Sequence, residues 1–444
     1  MPTTKTTHVR YMIVLMLFVA STFSYGDRVV LSIAAADIRR DLHLDALRLG
    51  YLFSGFGWAY AAAQLPAGSL LDRFGSKRVY GLSILSWSCC AILSGLTGYL
   101  PALAAFYLLF AFRLLSGLAQ SPVFPGNGRI VAAWCPAAER GRASAVFNSS
   151  QYFALVLFAP LMGWIAHTLG WKHCFWFAGF IGLALGAVWF RVIHGVKAHP
   201  RISPAEINLI ETGGGLVSLD GSHKPPANNL TWRVVRWLLG KRMLVGVYLG
   251  QYCITTLTWF FLTWFPIYLT ETRHLSVVKA GFLAAVPALC GFAGGILGGV
   301  SSDRLLKAGY SLTLARKIPI IAGMLLAMTM VACNYVNSSL AITVLMSLAF
   351  FGKGFGALGW SVISDTSPKN LVGVNGGLFN LIGNLAGITT PIIIGAIVKG
   401  TGAFRYALVF VAATALLAIV AYLPIVGEIR RLESPACLLP GNLP

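Results

Sequence analysis

Apolar residues occur in long runs along most of the chain, and short polar stretches separate the runs. A run of about 20 apolar residues has the length of a helix that crosses a lipid bilayer. The pattern therefore predicts an all-α membrane protein with twelve transmembrane helices. The runs lie at 11–33, 48–70, 78–97, 101–121, 143–166, 173–193, 243–270, 279–300, 316–335, 339–363, 373–398 and 403–425.

The longest polar stretch, residues 194–242, separates the sixth run from the seventh. It contains basic residues, proline, asparagine and the run Gly213-Gly214-Gly215, and its last part, Arg233 to Arg242, has the pattern of a short basic amphipathic helix at a membrane surface. We therefore expect two six-helix bundles, 11–193 and 243–427, joined by a cytoplasmic linker at 194–242.

Lysine and arginine are distributed unevenly between the two ends of the predicted helices. If both termini are cytoplasmic, 23 of the 34 basic residues lie on the cytoplasmic side, 8 on the opposite side and 3 within helices. Cytoplasmic loops of membrane proteins carry this excess of positive charge. The bias predicts the orientation and accounts for the net charge of +20 without nucleic acid, because the charges are spread over many short loops.

Composition supports the membrane class and excludes several others. Hydrophobic residues make up 57% of the chain, charged residues 11%, and mean hydropathy is +0.74. The eight cysteines show no metal-ligand spacing, so we expect neither a metal site nor a structural disulfide. No small-residue cleavage site follows a short apolar core at the N-terminus, which indicates a first helix and not a signal peptide.

The two halves repeat one short motif. Gly68-x-x-x-Asp72-Arg73 follows the second predicted helix, and Gly299-x-x-x-Asp303-Arg304 follows the eighth; basic residues follow both. An internal repeat of six helices is typical of secondary transporters, whose binding site lies near the midplane between the repeats.

The first copy of this motif continues to Gly75 and a basic pair, and Arg113-x-x-x-Gly117 occurs in the fourth predicted helix. Both patterns resemble signature motifs of the major facilitator superfamily. We expect Asp72 to cap a neighbouring helix or to pair with basic groups, which would stabilise one conformer. The alternative is an ordinary charged turn.

Six further motifs occur in the chain, three in each half. They are Tyr25-Gly-Asp27-Arg28, Phe124-Pro125-x-Asn127-x-Arg129, Asn148-Ser-Ser-Gln151-Tyr152, Gly246-Val-Tyr-Leu-Gly250-Gln251, Phe260-Phe-Leu-Thr-Trp264-Phe-Pro266 and Phe350-Phe-Gly-Lys353-Gly. Together they are similar to the anion:cation symporter family, and most like its bacterial glucarate/galactarate proton symporters. The resemblance implies a monomeric, cofactor-free importer of anionic sugar acids with protons, working by alternating access in the bacterial inner membrane. Galactonate or hexuronate transport is the alternative substrate class.

Only four ionisable residues lie well inside the predicted helices: Asp27, Arg28, Arg113 and Lys353. Burying a charge at the centre of a membrane helix costs on the order of 3 kcal/mol. The four together carry a net charge of +2, which an anionic substrate, and best a dianion, would balance. We therefore expect Arg28, alone or together with Arg113, to hold one carboxylate and Lys353 to lie nearer the second carboxylate or the distal hydroxyls.

Two alternatives remain open for these residues. Lys353 could reach the membrane surface from a helix that ends early. Arg28 could form a structural pair with Asp27, although adjacent residues point about 100° apart on a helix. The family resemblance implies further pocket residues, each of which could instead form an interhelical hydrogen bond. These are Tyr25, Tyr60, Gln151, Gln251, Trp360 and Asn380.

Proton coupling needs a group that titrates during transport, and Asp27 is the candidate. A carboxylate bound at Arg28 would compete for the arginine and favour protonation of Asp27. The family resemblance places a glutamate where this chain has Gln120, which cannot release a proton. One proton site could suffice, the protein could be an uncoupled facilitator or exchanger, or the glutamine could have been introduced.

Other classes of function fit the sequence less well. It contains no phosphate-binding loop, zinc-ligand pair or nucleophile motif, so we expect no enzymatic activity. A channel would need a ring of like groups along a pore. The repeat and the four buried charges favour a transporter.

Overall fold

The computed structural model describes residues 6–136, 139–218, 232–368 and 371–433, and all regular structure in these ranges is helical. This confirms the all-α fold class. The helices are α1 Val9–Asp41, α2 Ala46–Phe74, α3 Ser76–Leu96, α4 Ala102–Gln120, α5 Val123–Trp134, α6 Arg140–Leu169, α7 Trp171–Val192, α8 Pro204–Thr212, α9 Trp232–Leu239, α10 Arg242–Trp259, α11 Phe265–Ile267, α12 Val277–Lys307, α13 Leu312–Ala327, α14 Ser339–Phe355, α15 Gly359–Thr366, α16 Val372–Asn384, α17 Ala386–Thr401 and α18 Arg405–Val420.

Each of the twelve predicted segments is helical where the structure describes it. Eleven helical segments in the described chain are long and apolar enough to cross a membrane. The remaining one, α2, has 29 residues but is not among the eleven; it carries Tyr60 and Gln64 among its apolar residues. Parts of the predicted linker (219–231), Lys369 and Cys437 lie outside the described residues.

The chain divides into two compact units. Unit 1 contains the described residues of 1–43 and 55–226, and unit 2 contains those of 44–54 and 227–444. The division passes through α2, whose first turns belong to unit 2.

Unit 1 includes the beginning of the polar stretch that follows its last long helix. Its apolar core joins residues of α1, α3, α5 and α7 to Val196, Ile210 and Val217. Glu206 of α8 is fully buried and accepts hydrogen bonds from the backbone N–H groups of Val9 and Arg10, at 3.1 and 3.2 Å. The first amides of a helix lack partners within that helix, so α8 supplies the missing acceptor for α1.

Serine side chains mark the starts of three long helices in unit 2. Ser276, Ser311 and Ser338 precede α12, α13 and α14, and each accepts a hydrogen bond from an amide in the first turn that follows. Serine is favoured at this position because its hydroxyl satisfies one of the free N–H groups of the helix.

Three of the predicted membrane segments are interrupted helices, and a fourth is followed directly by another helix. The fourth segment ends with α4, and only Ser121 and Pro122 separate α4 from α5; the tenth segment breaks between α14 and α15 at Gly356 to Leu358. The eleventh breaks at Leu385, and the seventh ends in two π-helical turns that flank Pro266. Proline cannot donate a helical hydrogen bond, and glycine weakens a helix. Several of the predicted site residues lie beside these breaks.

Candidate functional site

The acid of the first helix pairs with a base from the fourth. Asp27 is buried and accepts a hydrogen bond from Arg113 Nη1 at 3.3 Å and one from Gln120 Nε2 at 2.9 Å, both on Oδ2. Its neighbour Arg28 points in another direction along α1, as expected for adjacent helical residues. The alternative of a structural Asp27–Arg28 pair is therefore wrong for this conformation.

Gln120 joins the buried acid to the second buried base. Its side-chain Oε1 accepts hydrogen bonds from Ser24 Oγ at 2.9 Å and from Nε and Nη2 of Arg28 at 3.4 Å each. Arginine has only donors and an ionised carboxylate only acceptors. One orientation of the amide therefore satisfies both Arg28 and Asp27, and Gln120 is fully buried between them.

Arg28 lies among aromatic rings. Its guanidinium carbon is 4.7 Å from the ring centroid of Tyr25, 4.3 Å from that of Phe56 and 5.3 Å from that of Tyr60. Cation–π contacts of this kind stabilise a buried guanidinium by about 1–2 kcal/mol. Arg28 forms no ion pair with a carboxylate in the described chain. The direct contacts of its guanidinium among the described residues are therefore with neutral groups.

Close packing of α4 against α2 brings these side chains together. A Cβ atom added at Gly117 would lie 2.3 Å from the backbone oxygen of Phe56, so only glycine allows this approach. Arg113, Gly117 and Gln120 follow one another at helical spacing and share one face of α4. Phe56 and Tyr60 are likewise one turn apart on α2, and their rings stack at 5.3 Å.

Unit 2 contains one deeply buried base among the predicted site residues. Lys353 lies in the last turn of α14, is 4% exposed, and has its Nζ 5.4 Å from the ring centroid of Phe350. The alternative of a lysine reaching the membrane surface does not fit this burial.

The structure also brings three predicted polar or aromatic residues of unit 2 close to one another. Gln251 of α10 lies against Gly359 of α15 and Gly383 of α16. Trp360 is next to Gly359, is 54% exposed and packs edge to face on Phe379 at 4.9 Å. The side-chain oxygen of Asn380 accepts a hydrogen bond from Asn384 at 3.0 Å.

Two predicted pocket residues have a different setting from the one expected. Gln151 donates to the backbone oxygen of Asn148 in its own helix, at 3.2 Å. Arg113 pairs with Asp27, and its buried Nε has no hydrogen-bond partner among the described residues. Arg28 therefore has no carboxylate partner in unit 1 where the structure describes it, whereas Arg113 has one.

The repeated motif forms ion pairs inside each unit. Asp72 pairs with Arg129 of α5 in unit 1. In unit 2, Arg316 pairs with Asp365 at 2.8 Å and lies 3.8 Å from the exposed Asp303.

The other motif residues take different positions. Gly75 has φ = +79° immediately before α3, a conformation that other residues rarely adopt. A Cβ atom at Gly68 would meet nothing within 4 Å, and Arg73 and Arg304 are exposed.

The sequence analysis did not select Phe56 or Ser24, and it named Arg129 only as part of a family motif. Phe56 lies one turn before Tyr60, and Ser24 lies one turn before Arg28. Helical spacing from residues already chosen would have identified both. Arg129 was counted among the basic loop residues, because the continuation of the fourth segment into α5 was not predicted.

Long apolar helices and a buried ion cluster are typical of a membrane transporter. Two solved structures support the fold: a bacterial homologue of the human lysosomal transporter Spinster, inward-facing and occupied (TM-score 0.72, 17% identity, 94% of this chain and 97% of that one), and a D-xylose-proton symporter (TM-score 0.71, 14% identity, 94% and 98%). The family model described as Major Facilitator Superfamily matches residues 17–391. The chain belongs to the major facilitator superfamily.

Curated relatives are similar over nearly the whole chain. "Probable galactarate/D-glucarate transporter GudP" of Bacillus subtilis is 56% identical over 430 residues, covering 97% of this chain and 94% of the relative. The protein of the same name in Escherichia coli K12 is 52% identical, with coverage of 97% and 96%. A D-galactonate transporter of Escherichia coli O6:H1 is 38% identical, with coverage of 95% and 96%. These relatives confirm the recognised family and the expectation that the chain is a transporter and not an enzyme.

Proposed function

We propose that the protein is a secondary active transporter that imports a glucarate- or galactarate-type sugar acid together with protons by alternating access. The observation that carries the proposal is the buried Arg28, whose guanidinium contacts the amide of Gln120 and aromatic rings and forms no ion pair among the described residues. A guanidinium in this setting favours a carboxylate, with which it forms two parallel hydrogen bonds. The names of the relatives support the substrate class.

The charges favour a dianion over a monoanion. In unit 1 the Asp27–Arg113 pair is neutral as a unit, which leaves the positive charge of Arg28. In unit 2 Lys353 is a second buried base. An aldarate carries two carboxylates, one for each of these charges, whereas galactonate carries one. We propose that Arg28 takes the first carboxylate and that Lys353 takes the second.

The remaining site residues are proposed to contact the hydroxyl groups and carbon chain. The rings of Tyr25 and Tyr60 both lie close to the guanidinium of Arg28, and both side chains carry hydroxyl groups. The amides in unit 2 offer both donors and acceptors. The exposed ring of Trp360 offers an apolar face. The proposed substrate-binding set is Tyr25, Arg28, Tyr60, Arg113, Gln151, Gln251, Lys353, Trp360 and Asn380.

Asp27 is the proposed proton carrier. In the absence of substrate, Arg113 and the amide of Gln120 both stabilise its ionised form. A carboxylate bound to Arg28 adds a negative charge next to Gln120, which favours protonation of Asp27. Binding of anion and proton are then reciprocally linked. Arg113, and not Arg28, is the base that holds Asp27 in this scheme.

The topology and the state of assembly are proposed on the charge distribution and the family. We infer that both termini are cytoplasmic, because the basic residues collect on that side. The family resemblance supports a monomer in the bacterial inner membrane. We propose two six-helix bundles, 11–193 and 243–427, with 194–242 as the cytoplasmic linker. The motif residues Gly68, Asp72, Arg73, Gly75, Asp303 and Arg304 are proposed to stabilise one conformer.

A second candidate function is uncoupled facilitation or exchange. The observation that favours it is the neutral Gln120, which is fully buried at a position where the family resemblance implies a glutamate. With one acid in the cluster, all coupling in unit 1 would depend on Asp27.

Uptake of labelled glucarate into proteoliposomes separates these candidates. We expect accumulation above equilibrium when the interior is alkaline, and only equilibration when the pH gradient is collapsed. Galactonate, with one carboxylate, serves as the matched competitor. Equal final uptake of glucarate with and without a pH gradient would establish facilitation. If glucarate and galactonate did not compete with each other for uptake, the proposed substrate class would be wrong.

A further inference from the structure

A cavity of about 380 Å³ lies at the end of α2, where the chain turns into α3. Three basic side chains, Arg73, Lys77 and Arg78, line it together with the single acid Asp72. Asp72 already pairs with Arg129. The three basic residues form no ion pair in the described part of the chain. The cavity is therefore surrounded by positive charge that the protein itself does not neutralise.

We propose that this cavity binds the phosphate of an anionic phospholipid. Like charges grouped around a cavity repel one another, and a phosphate removes that repulsion while accepting several hydrogen bonds. Basic pockets at the ends of membrane helices recognise lipid headgroups in this way. The other lining residues leave the cavity open, because two of them are glycines, Gly75 and Gly195.

An exposed apolar stripe favours a lipid over a soluble anion. Pro66, Leu70 and Phe74 follow one another at four-residue spacing on α2, so they share one face of the helix, and all three are exposed. Phe74 also lines the cavity, and the guanidinium carbon of Arg73 lies 5.2 Å from its ring centroid. A phospholipid matches this arrangement, with its phosphate among the basic residues and its acyl chains along the stripe.

The test compares two double variants that remove the same charge. The double variant Lys77→Gln with Arg78→Gln removes two positive charges from the cavity lining and keeps Asp72 and Arg73 of the repeated motif. Arg142→Gln with Lys307→Gln removes two exposed basic residues elsewhere. Lipids retained by each purified protein, extracted from membranes that contain phosphatidylglycerol and phosphatidylethanolamine, are counted by native mass spectrometry.

We expect the cavity variant to retain about tenfold less phosphatidylglycerol than the wild type and the control variant to match the wild type. Phosphatidylethanolamine should not change. Equal retention by both variants would overturn the proposal. Displacement of the retained lipid by inorganic phosphate would also overturn it, because that result identifies a site for a soluble anion.

The wild-type protein provides a second measurement that does not depend on folding of a variant. Its thermal unfolding midpoint in neutral detergent should rise when phosphatidylglycerol is added and should not rise with phosphatidylcholine. An equal response to both lipids would contradict a phosphate site that needs net negative charge. Neither measurement includes sugar acid, so their outcome is independent of the proposed transport function.

Discussion

At the scale of single residues, the central feature is a neutral amide placed between an acid and a base. Gln120 donates to Asp27 and accepts from Arg28, so it links the two side chains. Its Nε2 lies 2.9 Å from Asp27 Oδ2, and a carboxyl oxygen of an acid at residue 120 would lie about as close. The proposed proton coupling at Asp27 therefore depends on what this one position can donate.

Replacement of the acid tests proton coupling directly. Asp27→Asn keeps the size of the side chain but cannot carry a proton, so we expect it to abolish accumulation of glucarate against its gradient. Exchange of internal for external substrate should persist. Asp37→Asn is the control: Asp37 lies on the same helix but pairs with Arg40, and this variant should accumulate glucarate as the wild type does. An Asp27→Asn protein that still concentrates substrate would refute the assigned role.

Introduction of an acid at position 120 tests the amide. Gln120→Glu places two carboxyl groups within hydrogen-bonding distance, and such pairs share a proton. We expect the dependence of uptake on pH to acquire a second ionisation. Gln120→Met removes the hydrogen bonds without adding an ionisable group and serves as the control. A pH profile of Gln120→Glu that superimposes on that of the wild type would contradict this interpretation.

At the scale of elements, the site depends on how closely helices approach one another. Gly117 allows α4 to contact the backbone of α2 at Phe56. This contact sets the positions of Phe56 and Tyr60 relative to Arg113 and Gln120. The break after Gln120 then ends α4 at the level of the cluster.

A methyl group at Gly117 should separate the two helices. The clash in Gly117→Ala is with backbone, at 2.3 Å, so a side-chain rotation cannot relieve it. We expect a loss of about 1–3 kcal/mol in stability and a raised KM for glucarate. Gly128→Ala in α5 is the matched control, because a Cβ atom there meets nothing within 4 Å. Equal thermal unfolding midpoints and KM values in the two variants would exclude the packing argument.

The segment after α7 is held by buried polar groups. Arg10 pairs with Glu206 of α8 at 3.1 Å and with Glu139 at 2.9 Å. His199 is 5% exposed, and its Nδ1 accepts a hydrogen bond from the backbone N–H of Arg201. Burial lowers the pKa of His199 below its usual value, and so does the neighbouring His194, whose ring centroid lies 5.5 Å from that of His199.

This pKa shift predicts a loss of stability in acid. In the unfolded chain His199 binds a proton near pH 6.5, whereas in the folded chain it binds one only at a lower pH. Stability should therefore be greatest above about pH 6.5 and should fall as the pH drops below that value. His199→Gln should lessen this fall in the unfolding midpoint between pH 7.5 and 5.5. His167→Gln, at an exposed histidine, should behave as the wild type; identical curves for all three proteins would contradict the prediction.

At the scale of the whole molecule, each of the two units supplies one buried base that we assign to the substrate. Arg28 belongs to unit 1 and Lys353 to unit 2. The proposed preference for a dianion therefore depends on both halves of the chain, even though their sequences share little beyond the repeated motif.

Removal of the base in unit 2 tests this division of roles. Lys353→Asn should lower uptake of glucarate about tenfold or more relative to galactonate, because only the dicarboxylate loses a charge partner. Lys317→Asn, which replaces another buried lysine of unit 2, should leave the ratio unchanged. The measurement is competition between the two sugar acids in the same vesicles. An unchanged preference in Lys353→Asn would refute the assignment.

Local rules explain why so much of the fold could be predicted. Within a bilayer each helix satisfies its own backbone hydrogen bonds, so the length and apolarity of a run are sufficient to place it. The same rule makes a buried charge conspicuous, which is how Asp27, Arg28, Arg113 and Lys353 were found. It does not detect interruptions such as the one between α14 and α15, because the apolar pattern continues across them.

The sequence alone determined the helical segments, the family motifs and the four buried charges of the candidate site. Only the tertiary structure decided which of these groups meet. Arg113 and Gln120 lie 86 and 93 positions from Asp27 in the chain, and their contacts with it depend on how α1, α2 and α4 pack. Helical spacing could not reveal that Asp27 pairs with Arg113 while Arg28 contacts Gln120, because Asp27 and Arg28 lie on α1 and both partners lie on α4.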